Sequence, residues 1–292
     1  MNIVSKRKIF FSISGILLIA SVLGFVFWGL NLGIDFTGGS LLEVEYKNKR
    51  PAVSEIENRL SELEIGDVQA QPTGTKGLIL KLQNVDEATH QKILEKLGKN
   101  KLEEKRFEAI GPSISNELKS KAFWAIALAL IAIIIYIAWA FRKVSHPIAS
   151  WQYGLVAVLA LFHDIFITLG LFTYLGHFQN VEIGLPFVAA FLTILGYSVN
   201  NSIVIFDRVR ENLIKTNWQN FTETVDLSIK QSLSRCVNTA ATTLVVLLAL
   251  FFLGGDSIHY FSLALIVGII IGTYSSIFIT APLVVTWKDR KI

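Results

Sequence analysis

Six stretches of apolar residues, each long enough to cross about 30 Å of hydrocarbon, constrain this chain more than any other feature. They run over Ile9–Leu30, Ala122–Phe141, Tyr153–Leu175, Ile183–Phe206, Val237–Leu253 and Tyr260–Trp287. Inside a bilayer each backbone N–H and C=O must find its partner within the protein, so segments of this kind fold as helices. Hydrophobic residues make up 52% of 292 and charged residues 17%, well beyond what one water-soluble core requires. The expected fold class is an α-helical membrane protein of six transmembrane helices carrying a small α+β domain. The expected plan is 1–30 for the amino terminus and first helix, 31–121 for an external α+β domain, and 122–292 for a five-helix membrane domain.

The first span follows Lys6, Arg7 and Lys8, as in a signal peptide. Its apolar run is too long, however, and ends without a small-residue cleavage pattern, so it is expected to remain as an anchor. Lys and Arg cluster at Arg142 and Lys143, at Arg208, Arg210, Lys215, Lys230 and Arg235, and at Lys288, Arg290 and Lys291, whereas the loops His177–Glu182 and Gly254–His259 contain neither. This asymmetry puts both termini in the cytoplasm and the segment after the first span outside. The same inward-facing loops account for much of the net charge of +4, so a nucleic-acid partner is not expected. A single cysteine, Cys236, excludes an internal disulfide.

Between Asn31 and Lys121 the composition turns charged and soluble, enough for one small domain. Gly39–Tyr46 has strand composition, and Pro51 with Ser54 and Glu57 reads as a capping box opening a helix through Leu63. Strands are expected over Asp67–Gln71 and Gly77–Leu82, parted by Pro72-Thr73-Gly74. Asp86 should cap a second helix to about Leu97, and Glu104–Ile110 reads as the last strand. The order βαββαβ is that of a ferredoxin-like split βαβ unit, with helices on one sheet face and the other face left for another polypeptide. His90 is expected on the exposed side of its helix, and Glu55, Glu57, Glu62 and Glu64 read as a solvated face.

Asp164 falls about eleven residues into the third span, roughly 16 Å from its start at 1.5 Å per residue, near the membrane midplane. A lone charge there costs at least ~2.5 kcal/mol, so it must be protonated, paired or hydrated. His163 sits on an adjacent helical face and is not expected to be its partner. In the fourth span Tyr197, Asn200 and Asn201 are expected to share one face, with Gly196 permitting a close neighbour. In the fifth, Arg235, Asn238 and Thr242 form a stripe widened by Thr239 and Thr243, and the two stripes should face each other. An arginine near a helix end can also simply snorkel, and amides can simply join helices. Candidate ion-coupling residues are therefore Asp164, Asn200, Asn201, Arg235, Asn238 and Thr239. Phe221, Val225, Ile229 and Leu233 at four-residue spacing predict an amphipathic helix at about 213–234 lying along the inner surface. No Gly-rich phosphate loop, metal-spaced His or Cys cluster or nucleophile elbow is present, so no enzyme, cofactor or metal is expected.

Seven stretches carry a resemblance that spans the chain. They are Gly33-Ile34-Asp35-Phe36-Thr37-Gly38-Gly39-Ser40, Gly111-Pro112-Ser113-Ile114, His163-Asp164, the run Gly196–Asn212, Ser234-Arg235 with Asn238-Thr239, Gly254-Gly255-Asp256, and Gly272-Thr273-Tyr274-Ser275-Ser276-Ile277-Phe278. In order and with this topology, they make the chain similar to the SecF subunit of the bacterial SecDF protein-export complex, itself similar to half of an RND-type transporter. The resemblance implies pairing with SecD in a twelve-helix unit. That unit would use a proton gradient, or a sodium gradient in some bacteria, to draw preproteins from the SecYEG channel after SecA has pushed them in. The partners implied are SecD, SecYEG with YajC, the unfolded preprotein and membrane lipids.

In this family the ion path runs between the two halves, and SecF contributes the fourth-span Asp of Gly-Tyr-Ser-x-Asn-Asp and the fifth-span Arg. Here that position is Asn201, which cannot carry a proton. Three readings follow: the SecD half supplies the titrating carboxylate while Asn201 and Arg235 orient it, Asp164 takes a larger role, or the pump is uncoupled. Two other functions stand as rivals, a half-size RND-like exporter of lipids or small hydrophobic molecules and a non-pumping assembly factor of the translocon.

Overall fold

The structure is a computed structural model describing residues 2–63, 65–66, 68–140, 149–215 and 220–289. Expectations that fall on Glu64, Asp67, Phe141, Arg142, Lys143, residues 216–219, Arg290 and Lys291 lie outside the described residues. Two compact units divide the chain: Met1–Asn31 with Trp124–Ile292, and Leu32–Phe123.

A 3-10 turn, Val4–Lys6, leads into helix α1 (Arg7–Phe27). The chain then enters the α+β unit through the short α2 (Ile34–Thr37), followed by β1 (Gly39–Tyr46), α3 (Val53–Ser61), β2 (Gln69–Thr73), β3 (Gly77–Leu82), α4 (Glu87–Leu97) and β4 (Leu102–Ile110). The sheet order is β2-β3-β1-β4, antiparallel throughout, which is the split βαβ arrangement. Alternation sets the faces: Leu42, Val44 and Tyr46 on β1 and Leu78, Leu80 and Leu82 on β3 join Ile56 and Leu60 of α3 and Ile93, Leu94 and Leu97 of α4 in one core. Their neighbours Leu41, Glu43, Ile79 and Lys81 are only partly buried on the opposite face. Gly38 (φ 74°) and Gly39 (φ 126°) start β1 in backbone conformations that disfavour any side chain. A Cβ on Gly39 would lie 2.7 Å from the Leu82 carbonyl oxygen of the paired strand.

Asp86 caps α4 by accepting from the Thr89 N–H at 2.9 Å, and Gly98 ends the helix in the left-handed conformation. Three local expectations fail in this unit. The residue preceding α3 is Ala52 and no side-chain cap bond forms there, so the Ser54 and Glu57 box is not made. Pro72 and Thr73 belong to β2, because an edge strand tolerates a missing N–H. His90 is 3% exposed rather than solvated. Its spacing from Ile93, Leu94 and Leu97 puts it on the apolar stripe of α4, and its ring stacks on Phe107 at 3.7 Å.

In the other unit, α5 (Pro112–Ala140), α6 (Ser150–Gln179), α7 (Leu185–Lys215) and α8 (Phe221–Leu253) precede a last span. That span is built from α9 (Asp256–Ser275), a π-helical turn (Ser276–Thr280) and α10 (Ala281–Asp289). With Val4–Phe27 these make six helices long and apolar enough to cross a membrane. The α6 and α9 spans form the centre of the bundle, with most of their residues there buried, while α5 has few fully buried residues and packs inward mainly through Ile133, Ile137 and Ala140. Close packing at the centre uses small residues: a Cβ on Gly170 of α6 would collide with Ser21 of α1, and one on Gly24 of α1 with Thr173 of α6.

The amphipathic segment is not a separate surface helix. It is the first third of α8, which runs unbroken from Phe221 to Leu253. Phe221, Val225 and Ile229 are buried in a core with Ile3, Val4, Tyr153 and Phe206, while Leu233 packs against it. Asp226 accepts from the N–H groups of Ile3 (2.6 Å) and Val4 (3.2 Å), tying the amino-terminal turn to α8. Asn212 donates to Ser228 Oγ and Gln231 Oε1, both at 2.9 Å, and so joins the ends of α7 and α8.

Candidate functional site

Asp164 lies midway along the 30-residue α6 and is wholly buried, 0% exposed. Its burial is made tolerable by hydroxyls from two other helices. Ser198 Oγ of α7 donates to Oδ2 at 2.5 Å and Ser275 Oγ of α9 donates to the same oxygen at 2.8 Å. Gly272, one turn before Ser276, brings α9 close enough that a Cβ there would lie 3.0 Å from Ser198 Cβ and 3.5 Å from Asp164 Oδ2. The π-helical turn follows at once, with Ser276 Oγ reaching the Ser198 carbonyl at 3.1 Å and Ser202 Oγ at 3.1 Å. Such turns change the register of side chains within a helix and recur at functional positions.

The remaining carboxylate oxygen overturns one expectation. His163 Nδ1 lies 2.9 Å from Asp164 Oδ1, although the two are chain neighbours. Successive helical residues diverge at Cβ, but Nδ1 is the ring nitrogen nearer the backbone and can reach sideways. The far side of the ring meets α1: His163 Nε2 is 2.9 Å from Ser14 Oγ, which is 3.4 Å from the Tyr274 hydroxyl, and that hydroxyl donates to the Phe10 carbonyl at 2.9 Å. Ser14, His163, Ser198 and Ser275 thus belong to the site and were missed in the sequence. Their signal there is faint: Ser14 is one of several serines in an apolar span, His163 adjoins Asp164 itself, and Ser198 and Ser275 stand beside the more conspicuous Tyr197, Asn200, Asn201 and Tyr274.

The amides of α7 part company. Asn201 is 2% exposed and turns inward, its Nδ2 3.4 Å from Thr273 Oγ1 of α9. Asn200, one residue and about 100° away, is exposed together with Arg235, Asn238 and Thr242 of α8. Thr239 is half-buried and donates to the Arg235 carbonyl at 2.8 Å. The expectation that Asn200 and Asn201 share a face therefore fails. Asn201 belongs with the buried carboxylate, and only Asn200 shares the stripe of Arg235.

Asn200 and Arg235 line a cleft of about 450 Å³ between α5, α7 and α8. Its carboxylates are engaged on their own helix, Asp207 with Arg210 and Glu211 with Arg208, each pair at 2.7 Å. Among the described residues no carboxylate lies within ion-pair distance of Arg235. No group of three or more His, Cys, Asp and Glu side chains among them is placed to hold a metal ion. What the site can do chemically is hold and orient protons or a partner's charge.

Residues 89–290 match the family model for the protein export membrane protein SecD/SecF, C-terminal, and residues 25–49 match that for the SecD/SecF GG motif. The protein translocase subunit SecF of Thermobaculum terrenum is 38% identical, over 99% of this chain and 95% of that protein. The chain belongs to the SecF family. SecF of Anaerolinea thermophila is 36% identical over 99% of this chain and 94% of its own length. SecF of Haemophilus influenzae is 38% identical over 94% and 82%. Among solved structures, SecDF of Thermus thermophilus, a translocon-associated membrane protein, superposes with a TM-score of 0.85 at 34% identity over 99% of this chain. SecDF in a super-membrane-facing form gives 0.70 at 33% identity over 100%. The chain spans 39% of the length of each SecDF chain. Family membership and six long apolar helices make this SecF relative a multi-pass protein of the bacterial inner membrane, a component of transport machinery rather than a classical enzyme. The GG motif is the Gly38-Gly39 pair whose backbone opens β1.

Proposed function

We propose that this chain is the SecF half of a SecD–SecF pair that uses an inward proton or sodium gradient to promote late steps of preprotein export through SecYEG. Both termini would then be cytoplasmic and the α+β unit external, as the placement of Lys and Arg supports. The observation that carries the reading is Arg235, exposed beside Asn200 in a cleft of the membrane unit without a carboxylate partner among the described residues. At the inner end of its span an exposed guanidinium with no acidic partner of its own can take one from outside the subunit, and a carboxylate of the SecD half fits that position. Within about 4–6 Å the arginine favours the ionised carboxylate while desolvation opposes it, so a small change in their separation switches proton release. Asn200, exposed beside Arg235, would orient that carboxylate in place of the buried Asn201. Asn238 and Thr239 continue the same stripe, and Asp164 would serve as a second, internal element of the coupling.

The test is export in cells that lack any other SecF. Arg235→Ala should abolish gradient-stimulated export while SecD still copurifies, and normal export by this variant overturns the assignment. Asn201, in place of the family's carboxylate, supports one other reading, a subunit that stabilises the translocon without pumping. Export in vesicles that does not respond to collapse of the gradient would favour it.

A further inference from the structure

We propose that His163 and Asp164 form a proton-holding site that belongs to this subunit alone, with Ser14 of α1 as the hydroxyl that reorients with its occupancy. It stands whether or not the cleft at Arg235 meets a partner's carboxylate. Among the described residues the hydrogen bonds around the pair come from three other helices. From α7 comes Ser198, from α9 come Ser275 and the phenol Tyr274, and from α1 comes Ser14. Among the described residues Asp164 has no Lys or Arg in ion-pair distance, and its one ionisable partner is His163 at 2.9 Å.

Among the proton arrangements that the hydrogen bonds allow, two differ by one proton at His163. With Ser198, Ser275 and His163 Nδ1 all donating, Asp164 is an ionised carboxylate with three donors. When His163 holds a single proton, on Nδ1, its Nε2 has a lone pair and accepts from Ser14 Oγ. A proton taken from solvent goes to Nε2, which then donates to Ser14. The serine must turn its own proton away, and the Tyr274 oxygen 3.4 Å off receives it, because the phenolic proton is already given to the Phe10 carbonyl. One proton is bound, no other bond is made or broken, and the imidazolium faces the carboxylate that stabilises it.

The same geometry argues for a proton rather than sodium. Ser198 donates to Oδ2 at 2.5 Å, Ser275 lies 2.8 Å from the same oxygen and 3.2 Å from the Gly272 carbonyl, and α9 closes in at Gly272, which leaves little room beside the carboxylate. A bare cation would require oxygens converging with their lone pairs inward. Occupancy is read by α1, the helix whose chain continues directly into the α+β unit.

The experiment is nitrogen NMR of histidine in the full chain in lipid nanodiscs, with the His163 signals assigned through His163→Gln. Expected is conversion of His163 from a singly to a doubly protonated ring as the pH is lowered, unchanged when sodium replaces potassium. In Asp164→Asn the doubly protonated fraction at a given acidic pH should fall at least about fivefold, since the opposing charge is gone. Ser14→Ala should keep the titration and move the Nε2 signal alone. If Asp164→Asn does not fold, the unsubstituted chain and Ser14→Ala still decide. A ring that stays singly protonated throughout, or a titration displaced by sodium, overturns the proposal. Arg235→Ala should leave the His163 titration unchanged, which separates this site from the one in the cleft.

Discussion

Three donors converge on one carboxylate at Asp164, so the cost of changing that residue is mainly the cost of stranding them. Asp164→Ala leaves Ser198, Ser275 and His163 without their acceptor and should lower stability by about 3–5 kcal/mol. Asp164→Asn, which keeps volume and one acceptor, should cost less, and thermal unfolding in detergent can rank the two. A second prediction concerns Asp86, whose carboxylate is held below the usual range by its bonds to Thr89. The folded state therefore favours the ionised form. The cap contributes fully above the unfolded carboxylate's value of about 4 and is lost as pH falls through and below it. The stability difference between Asp86→Ala and the unsubstituted chain should be plain at pH 7 and vanish by about pH 2. Asp86 was legible because its cap is local, set by residues three apart. The partners of Asp164 were not, since Ser14, Ser198 and Ser275 come from distant parts of the chain and only packing brings them together. The His163 contact was lost for a different reason: helical spacing describes Cβ positions, whereas a ring nitrogen close to the backbone ignores that spacing.

Helices and strands followed the period of their apolar residues wherever that period was strong. β1 was legible end to end from alternation, and the six spans from sheer length. The surface helix misjudged at 213–234 shows where periodicity stops being informative: a four-residue repeat fixes a face but says nothing about whether the helix ends at the membrane boundary, and α8 simply continues. Helix contacts are likewise written in small residues. Gly170→Val should force α1 away from α6 at Ser21, lowering the unfolding midpoint in detergent and the yield of monodisperse protein. Gly15→Ala on α1, where an added Cβ meets nothing within 4 Å, should be neutral by the same measures.

The core around Leu42, Leu80 and Ile93 and the core around Tyr153, Phe206 and Phe221 lie in different units of the chain. Leu80→Ala should destabilise the α+β unit by about 2–5 kcal/mol. Amide hydrogen exchange should show the loss confined to Leu32–Phe123. At this scale the sequence revealed the number of helices and the order of strands, because both follow from local patterning. It did not reveal which helices sit at the centre, since α5 and α6 are comparably apolar and differ only in what they touch. The hold of Asp226 on Ile3 and Val4 reaches across 223 residues. A ribosome makes the amino-terminal turn long before it makes the carboxylate that seats it, so the first residues of the nascent protein must wait until the fifth helix has emerged before they can settle.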